Sequence, residues 1–240
     1  MKTCHPFTGT NDVRNSSCFS AENLAKLQEI MYRLHVPEGS TLYMEGEPAD
    51  KLYFIYQGKM KVSKYSDDGK EYILYLYQDG DFFGQIDPYS DSKHSFSAQA
   101  VEDCQIGAMQ KSDLEVLLWQ HGDLAIEFMK WMGLSHRLTQ TKLRDLLMHG
   151  KSGALSSTLI RLSNSYGIPK EDGIFINMKI NNSELADYIG CARESVNRML
   201  GDLRKAGAIS INCGHITITN LEHLKNICKC EQCPSEICRI

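Results

Sequence analysis

Apolar positions change their spacing several times along the chain, and each change marks an element or a boundary. Between 21 and 34, Leu24, Leu27, Ile30 and Leu34 recur at helical intervals behind Ser20, which predicts a short capped amphipathic helix. From His35 to about Met109 the pattern becomes short alternating runs punctuated by Gly39, Gly46, Gly58, Gly69, Gly80 and Gly84. Strands at near-regular spacing predict a closed antiparallel barrel or jelly roll, with Asp68-Gly69 at a hairpin tip. A short helix over 113–120 precedes a long one from about Asp123 to Met148. The long helix carries one stripe of Leu124, Phe128, Trp131 and Leu138 and a second of Ala125, Met129, Met132, Leu143 and Leu146. A helix apolar on two faces needs two neighbours. Gly150 and Gly153 then mark a domain boundary.

Beyond that boundary the pattern predicts a helix over 154–166 and a short strand near Phe175. Asn181-Asn-Ser-Glu184 follows as a capping-box start, Ala186 lets two helices approach, and Gly190 supplies the turn into a second helix over 191–204. These are the marks of a helix-turn-helix. On the second helix Val196, Leu200 and Leu203 face a core, while Arg193, Glu194, Asn197 and Arg198 share the opposite face near its N-terminal end. In a helix-turn-helix those positions enter the major groove, where Arg bonds guanine in a bidentate manner and Glu accepts from cytosine N4. A solvated face with an internal Glu–Arg pair is the plainer reading of the same charges. The hairpin over 208–219 would be a wing.

At 240 residues and 42% hydrophobic, the chain is long enough for two domains of α+β class. The expected division is a leader over 1–19, a β-barrel over 20–121, the long helix over 122–149, a winged helix-turn-helix over 150–220 and a cysteine-rich tail over 221–240. No apolar run approaches the roughly 20 residues that cross a bilayer, so a soluble, cytoplasmic protein is expected. The net charge of −4 means that any DNA contact must come from a local patch. Between 151 and 220 Lys and Arg outnumber Asp and Glu. No Gly-x-Gly-x-x-Gly, P-loop or nucleophile–base pair argues for an enzyme.

The cysteines change the picture most. Cys228, Cys230, Cys233 and Cys238 crowd the tail, and in a reducing compartment several close thiols read as a metal or iron–sulfur site. An all-thiol set would also suit structural Zn²⁺. Cys104, Cys191 and Cys213 read as small packing residues. Cys4, His5 and Cys18 lie in the leader without a tight ligand pair.

Pro37-Glu-Gly39, Gly46, Leu52-Tyr-Phe-Ile-Tyr-Gln-Gly58 and Gly80-Asp-Phe-Phe-Gly84, with the helix Arg193-Glu-Ser-Val-Asn-Arg198-Met-Leu200, resemble the CRP/FNR family of transcription regulators. The resemblance covers about residues 20 to 220. It implies a cyclic-nucleotide-binding-like barrel, a dimerisation helix and a homodimer on double-stranded DNA with a palindromic TGTGA-type site. Contacts with RNA polymerase are implied too. Nucleotide-binding members carry an Arg that pairs with the cyclic phosphate after Phe-Gly-Glu. Here Phe83-Gly84-Gln85 and Ser92-Lys93-His94-Ser95 stand instead, and neither Lys93 nor His94 offers a bidentate fork, so cyclic nucleotide is not expected.

The tail Cys230-x-x-Cys233-Pro-x-x-x-Cys238, with Met129-Lys-Trp-Met132 and the run over 155–167, is similar to the Bacillus-type branch of FNR. That resemblance implies a [4Fe–4S] cluster on Cys230, Cys233 and Cys238, with Asp145 as fourth ligand. Cys4 and Cys18 do not match the N-terminal ligand spacing of other oxygen-sensing members. Cys228 stays open as the alternative fourth ligand, and a solvated helix-end carboxylate paired with Arg144 or Lys142 is the plainer reading of Asp145. A carboxylate ligand is harder than a thiolate and holds iron less firmly, which suits a sensor. The implied function is an oxygen-responsive activator of anaerobic respiration genes. A regulator with a structural zinc tail that answers another signal is the alternative.

Overall fold

The computed structural model describes residues 13–87 and 91–240, so Cys4 and His5 lie outside the described residues. The chain divides into two compact units, one of residues 14–137 and one holding residues 138–240.

In the first unit Ser20 caps α1 (Ala21–Glu29), its side chain accepting from the Asn23 N–H. The helix predicted through residue 34 stops short, because Tyr32–Val36 is a strand, β1, paired antiparallel with β8 (Cys104–Gln110). The ladder to β8 and the burial of Val36 outweigh the helical spacing that ended at Leu34. The last residues of the leader expected over 1–19 are ordered against the first unit. A 3-10 turn at Asn15–Cys18 buries Asn15, whose backbone N–H donates to Asp81 and whose side chain brackets the Phe82 backbone.

Two four-stranded sheets form the jelly roll. One runs β1-β8-β3-β6, with β3 Lys51–Gln57 and β6 Phe82–Gly84; the other runs β2-β7-β4-β5, with β2 Thr41–Tyr43, β4 Met60–Tyr65, β5 Glu71–Tyr77 and β7 Ser97–Ala100. Period-2 alternation sends Tyr53 and Ile55 of β3 into the space between the sheets, where they meet Met60, Val62, Ala98 and Ile106. Leu52 and Phe54 face the other way and pack on Phe19, Leu114 of α2 (Lys111–Gln120), and Phe128 and Trp131. Leu124, Phe128 and Trp131 of the long helix's first stripe are thus buried here, and Leu138, in the other unit, is buried as well. On the helix's second stripe Met129 and Met132 stay exposed.

The long helix, α3 (Gly122–Tyr166), does not end at Met148. It kinks at Gly150, whose φ of 60° and ψ of −165° are open to glycine, and resumes over 151–166. In the second unit a four-stranded sheet runs β11-β12-β10-β9, with β9 Gly167–Lys170, β10 Gly173–Ile176, β11 Ile209–Asn212 and β12 His215–Ile218. The strand near Phe175 is therefore one arm of a hairpin. α5 (Arg193–Lys205) packs on β11 and on α4 (Asn182–Ile189), and α6 (Leu221–Ile227) leads to the tail.

Candidate functional site

Asp145 is a buried carboxylate, not a solvated one, although the pairing with Arg144 that the plainer reading expected is present. Its Oδ1 accepts from Arg144 at 2.6 and 3.0 Å, and its Oδ2 accepts from Arg161 at 3.1 Å and from the Ser157 hydroxyl. Ser157 and Arg161 come from α3 beyond Gly150, so the carboxylate ties the two arms of the kinked helix. Arg144 also pairs with Glu231 of the tail.

The tail leaves α6 through Cys228, which is buried. Lys229 and Gln232 adopt φ of 46° and 55°, turning the chain sharply around Cys230. The Cys228 thiol donates to the Lys225 carbonyl at 3.7 Å and Cys230 Sγ accepts from the Gln232 N–H at 3.4 Å; the proximity of the two thiols and burial push Cys228 up, and the same proximity pulls Cys230 down. Cys238 is pushed up to about 11 by burial, against the pull of Arg161. Cys230 and Cys238 feel one another and Asp145 electrostatically, Cys233 acts on Cys238 and on Arg144, and Cys228 senses Cys230, Cys238 and Asp145. The four thiols and the carboxylate form one neighbourhood, and this soft donor set fits a thiolate-bound centre. Among the described residues, no three His, Cys, Asp or Glu side chains are gathered closely enough to hold a metal ion. Binding would therefore require the Cys230–Cys233 loop to close and Asp145 to release a donor.

The helix-turn-helix follows the sequence closely. Asn181 accepts from the Ser183 and Glu184 N–H groups while Glu184 accepts from the Asn181 N–H, completing the capping box. Gly190 takes the left-handed conformation at φ 65°, and the Cys191 N–H returns to Ala186 O at 3.1 Å. On α5, Val196, Leu200 and Leu203 are buried and Arg193, Glu194, Asn197 and Arg198 are exposed. Asn197 accepts from Asn182 Nδ2 at 3.2 Å, which braces the two helices. Cys213 is not a packing residue. It is exposed in the wing turn at φ 50°.

In the barrel, His94 is buried and stacks on Tyr43 at 3.7 Å between ring centroids, and Tyr43 continues into Tyr53 and Phe83. Burial holds the His94 pKa below its usual value, which favours the neutral ring. Lys93 is exposed, and its carbonyl accepts from Gln85 Nε2 at 2.9 Å. Nothing in the sequence marks Arg161, which sits in a run of small and apolar residues with no charge partner in helical register. Only the kink at Gly150 reveals its neighbours.

Two family models match the sequence. A cyclic nucleotide-binding domain matches residues 33–121 and a Crp-like helix-turn-helix domain residues 153–227. The chain is 43% identical over 228 residues, 94% of its length and 96% of the relative's, to the anaerobic regulatory protein of Bacillus subtilis. It is 32% identical over 184 residues, 75% of its length and 81% of the relative's, to the global nitrogen regulator of Synechocystis. Among solved structures, a mutant of CooA from Carboxydothermus hydrogenoformans shares the fold, with a TM-score of 0.72 at 19% identity over 85% of this chain and 90% of that one.

Proposed function

The chain belongs to the CRP/FNR family of DNA-binding transcription regulators and is not an enzyme, and from that premise we propose that it activates anaerobic genes through an oxygen-labile [4Fe–4S] cluster on Cys230, Cys233, Cys238 and Asp145. The observation that carries the reading is the single neighbourhood formed by the tail thiols and the buried Asp145. The name of the Bacillus subtilis relative supports the anaerobic part.

Asp145 is favoured over Cys228 as fourth ligand because of where each stands. Asp145 precedes the Gly150 kink, whereas the three cysteines follow the wing, so a bond to Asp145 ties the start of this unit to its end. A tail-only site with Cys228 would bridge nothing. When bound, the cluster would supply a crosslink that oxygen dismantles. The residues then do the rest. Asp145 and Arg144 hold the helix before the kink, and the tail presents three thiolates from beyond α6. Arg193 and Arg198 reach guanine and Glu194 reaches cytosine in each half-site of a TGTGA-type palindrome. The exposed Met129 and Met132 stripe suits a partner helix, giving a homodimer whose two recognition helices are about one turn of DNA apart. Loss of the crosslink makes that arrangement a minor state. Activation implies contact with RNA polymerase. Among the described residues no helix is long and apolar enough to cross a membrane, and the cytoplasm is the compartment where such thiols stay reduced.

An anaerobic gel shift on a TGTGA palindrome tests this reading. Asp145→Ala and Cys233→Ala should each lose specific binding, and variants that bind as tightly as the intact protein would contradict it. The buried Cys228 thiol beside Cys230 favours a second reading, a four-thiol zinc tail in a regulator that answers another signal. A colourless protein holding zinc and no iron would decide for it.

A further inference from the structure

We propose that Arg161 is the positioning residue of the tail site, holding Asp145 and the Cys238 segment in register before any metal binds. Its cluster arm rests on the reading above; its metal-free arm does not. Arg161 is buried and can donate five N–H bonds from a rigid planar fork. Four are committed. Nε donates to Ser157 Oγ at 3.2 Å, Nη1 to the Ile237 carbonyl at 3.0 Å, and Nη2 to Thr141 Oγ1 and Asp145 Oδ2, both at 3.1 Å. These acceptors come from three places in the chain: α3 before the kink, α3 after it, and the tail.

One guanidinium therefore sets the relative position of all three. A lysine could neutralise Asp145 but could not reproduce the fork. Neighbouring bonds extend the anchor, since Asn164 Nδ2 donates to Cys238 O at 2.6 Å and the Ile240 N–H to Ser165 Oγ at 3.2 Å. Two of the proposed ligands, Asp145 and Cys238, are thus placed in advance, while Cys230 and Cys233, both half-buried, lie in the stretch before Cys238 that none of these bonds holds. Arg144 divides its bonds between Asp145 Oδ1 and Glu231. Oδ1 is then the oxygen that Asp145 can free without breaking the hold of Arg161.

The test uses the full chain, reduced, metal-free and anaerobic, and reads the iodoacetamide alkylation rate of each cysteine by peptide mass spectrometry. Arg161→Lys keeps the charge beside Cys238, so a change in rate reports access to the thiol. The expected result is alkylation of Cys238 about tenfold faster, as the loss of bonds from a charged donor implies, with Cys228 and Cys213 within about twofold of the parent. An unchanged Cys238 rate overturns the proposal. Should Cys191 and Cys228 rise together with Cys238, showing loss of the whole unit, Thr141→Val decides. It removes one acceptor at constant volume, and an increase of about threefold in Cys238 alone supports the proposal while no increase overturns it. In a second arm, iron bound after anaerobic reconstitution should fall in Arg161→Lys. A parent protein that takes up no iron defeats the cluster reading, and the alkylation comparison still decides the role of Arg161.

Discussion

Replacing Asp145 by alanine removes the carboxylate that joins the two arms of α3. Its side chain is 4% exposed and that of Arg161 5%, so neither charge is screened by solvent. Opposite charges about 4 Å apart attract by about 4 kcal/mol at an effective dielectric of 20. Removal refunds the desolvation of the carboxylate but strands a buried guanidinium, which costs about 3–5 kcal/mol where no other acceptor remains. Arg161 keeps Ser157, Thr141 and the Ile237 carbonyl. Arg144, 20% exposed, keeps Glu231. The net cost for Asp145→Ala is then about 3 kcal/mol, roughly a hundredfold in local opening. Asp145→Asn retains an acceptor and should cost about half as much. Tryptophan fluorescence would miss the effect, because Trp119 and Trp131 both belong to the barrel unit. Amide exchange over 151–166 and 237–240 in metal-free protein reads it directly. Exchange within about twofold of the parent for both variants would refute the electrostatic role given to Asp145.

Burial favours neutral His94, so protonation costs the folded barrel more than the unfolded chain. Its contribution is present above the ordinary histidine pKa of about 6.5 and is lost as pH falls towards the lowered folded value. His94→Phe keeps the stack on Tyr43 and removes the titration, so its urea midpoint, followed by tryptophan fluorescence, should fall less than the parent's between about pH 7 and 5. Arg193→Ala and Arg198→Ala should each weaken binding to the cognate site by about 1–3 kcal/mol and relax discrimination at one base pair, measured by anisotropy against substituted sites. Met129→Glu places a charge in the exposed stripe proposed to meet a partner helix, and if that stripe pairs two chains, sedimentation velocity should show the variant monomeric at concentrations where the parent is dimeric.

Elements that depend on neighbours in sequence were legible; those that depend on distant partners were not. The capping box at Asn181 and Glu184, the turn at Gly190 and the buried Val196, Leu200 and Leu203 follow from spacing alone. Leu34 fitted a helix by spacing, yet β8, some seventy residues away, draws it into β1 at Ile106. Gly167-Ile-Pro-Lys170 has no alternation to announce a strand and becomes β9 through its pairing with β10. Cys213 stands beside Gly214 in the middle of the hairpin over 208–219, and that pairing, rather than its small apolar side chain, places it in an exposed turn. In the sequence only the family resemblance marks Asp145, and the burial that makes it consequential arises only when the kink at Gly150 brings Ser157 and Arg161 beside it.

If a cluster in the tail controls DNA binding, the two must be lost and regained together. Iron content and affinity for a TGTGA palindrome, followed in one anaerobic sample as air is admitted, test this most directly. Specific binding should fall in step with iron and return only after the cluster is rebuilt. Equal affinity before and after complete loss of iron would contradict it.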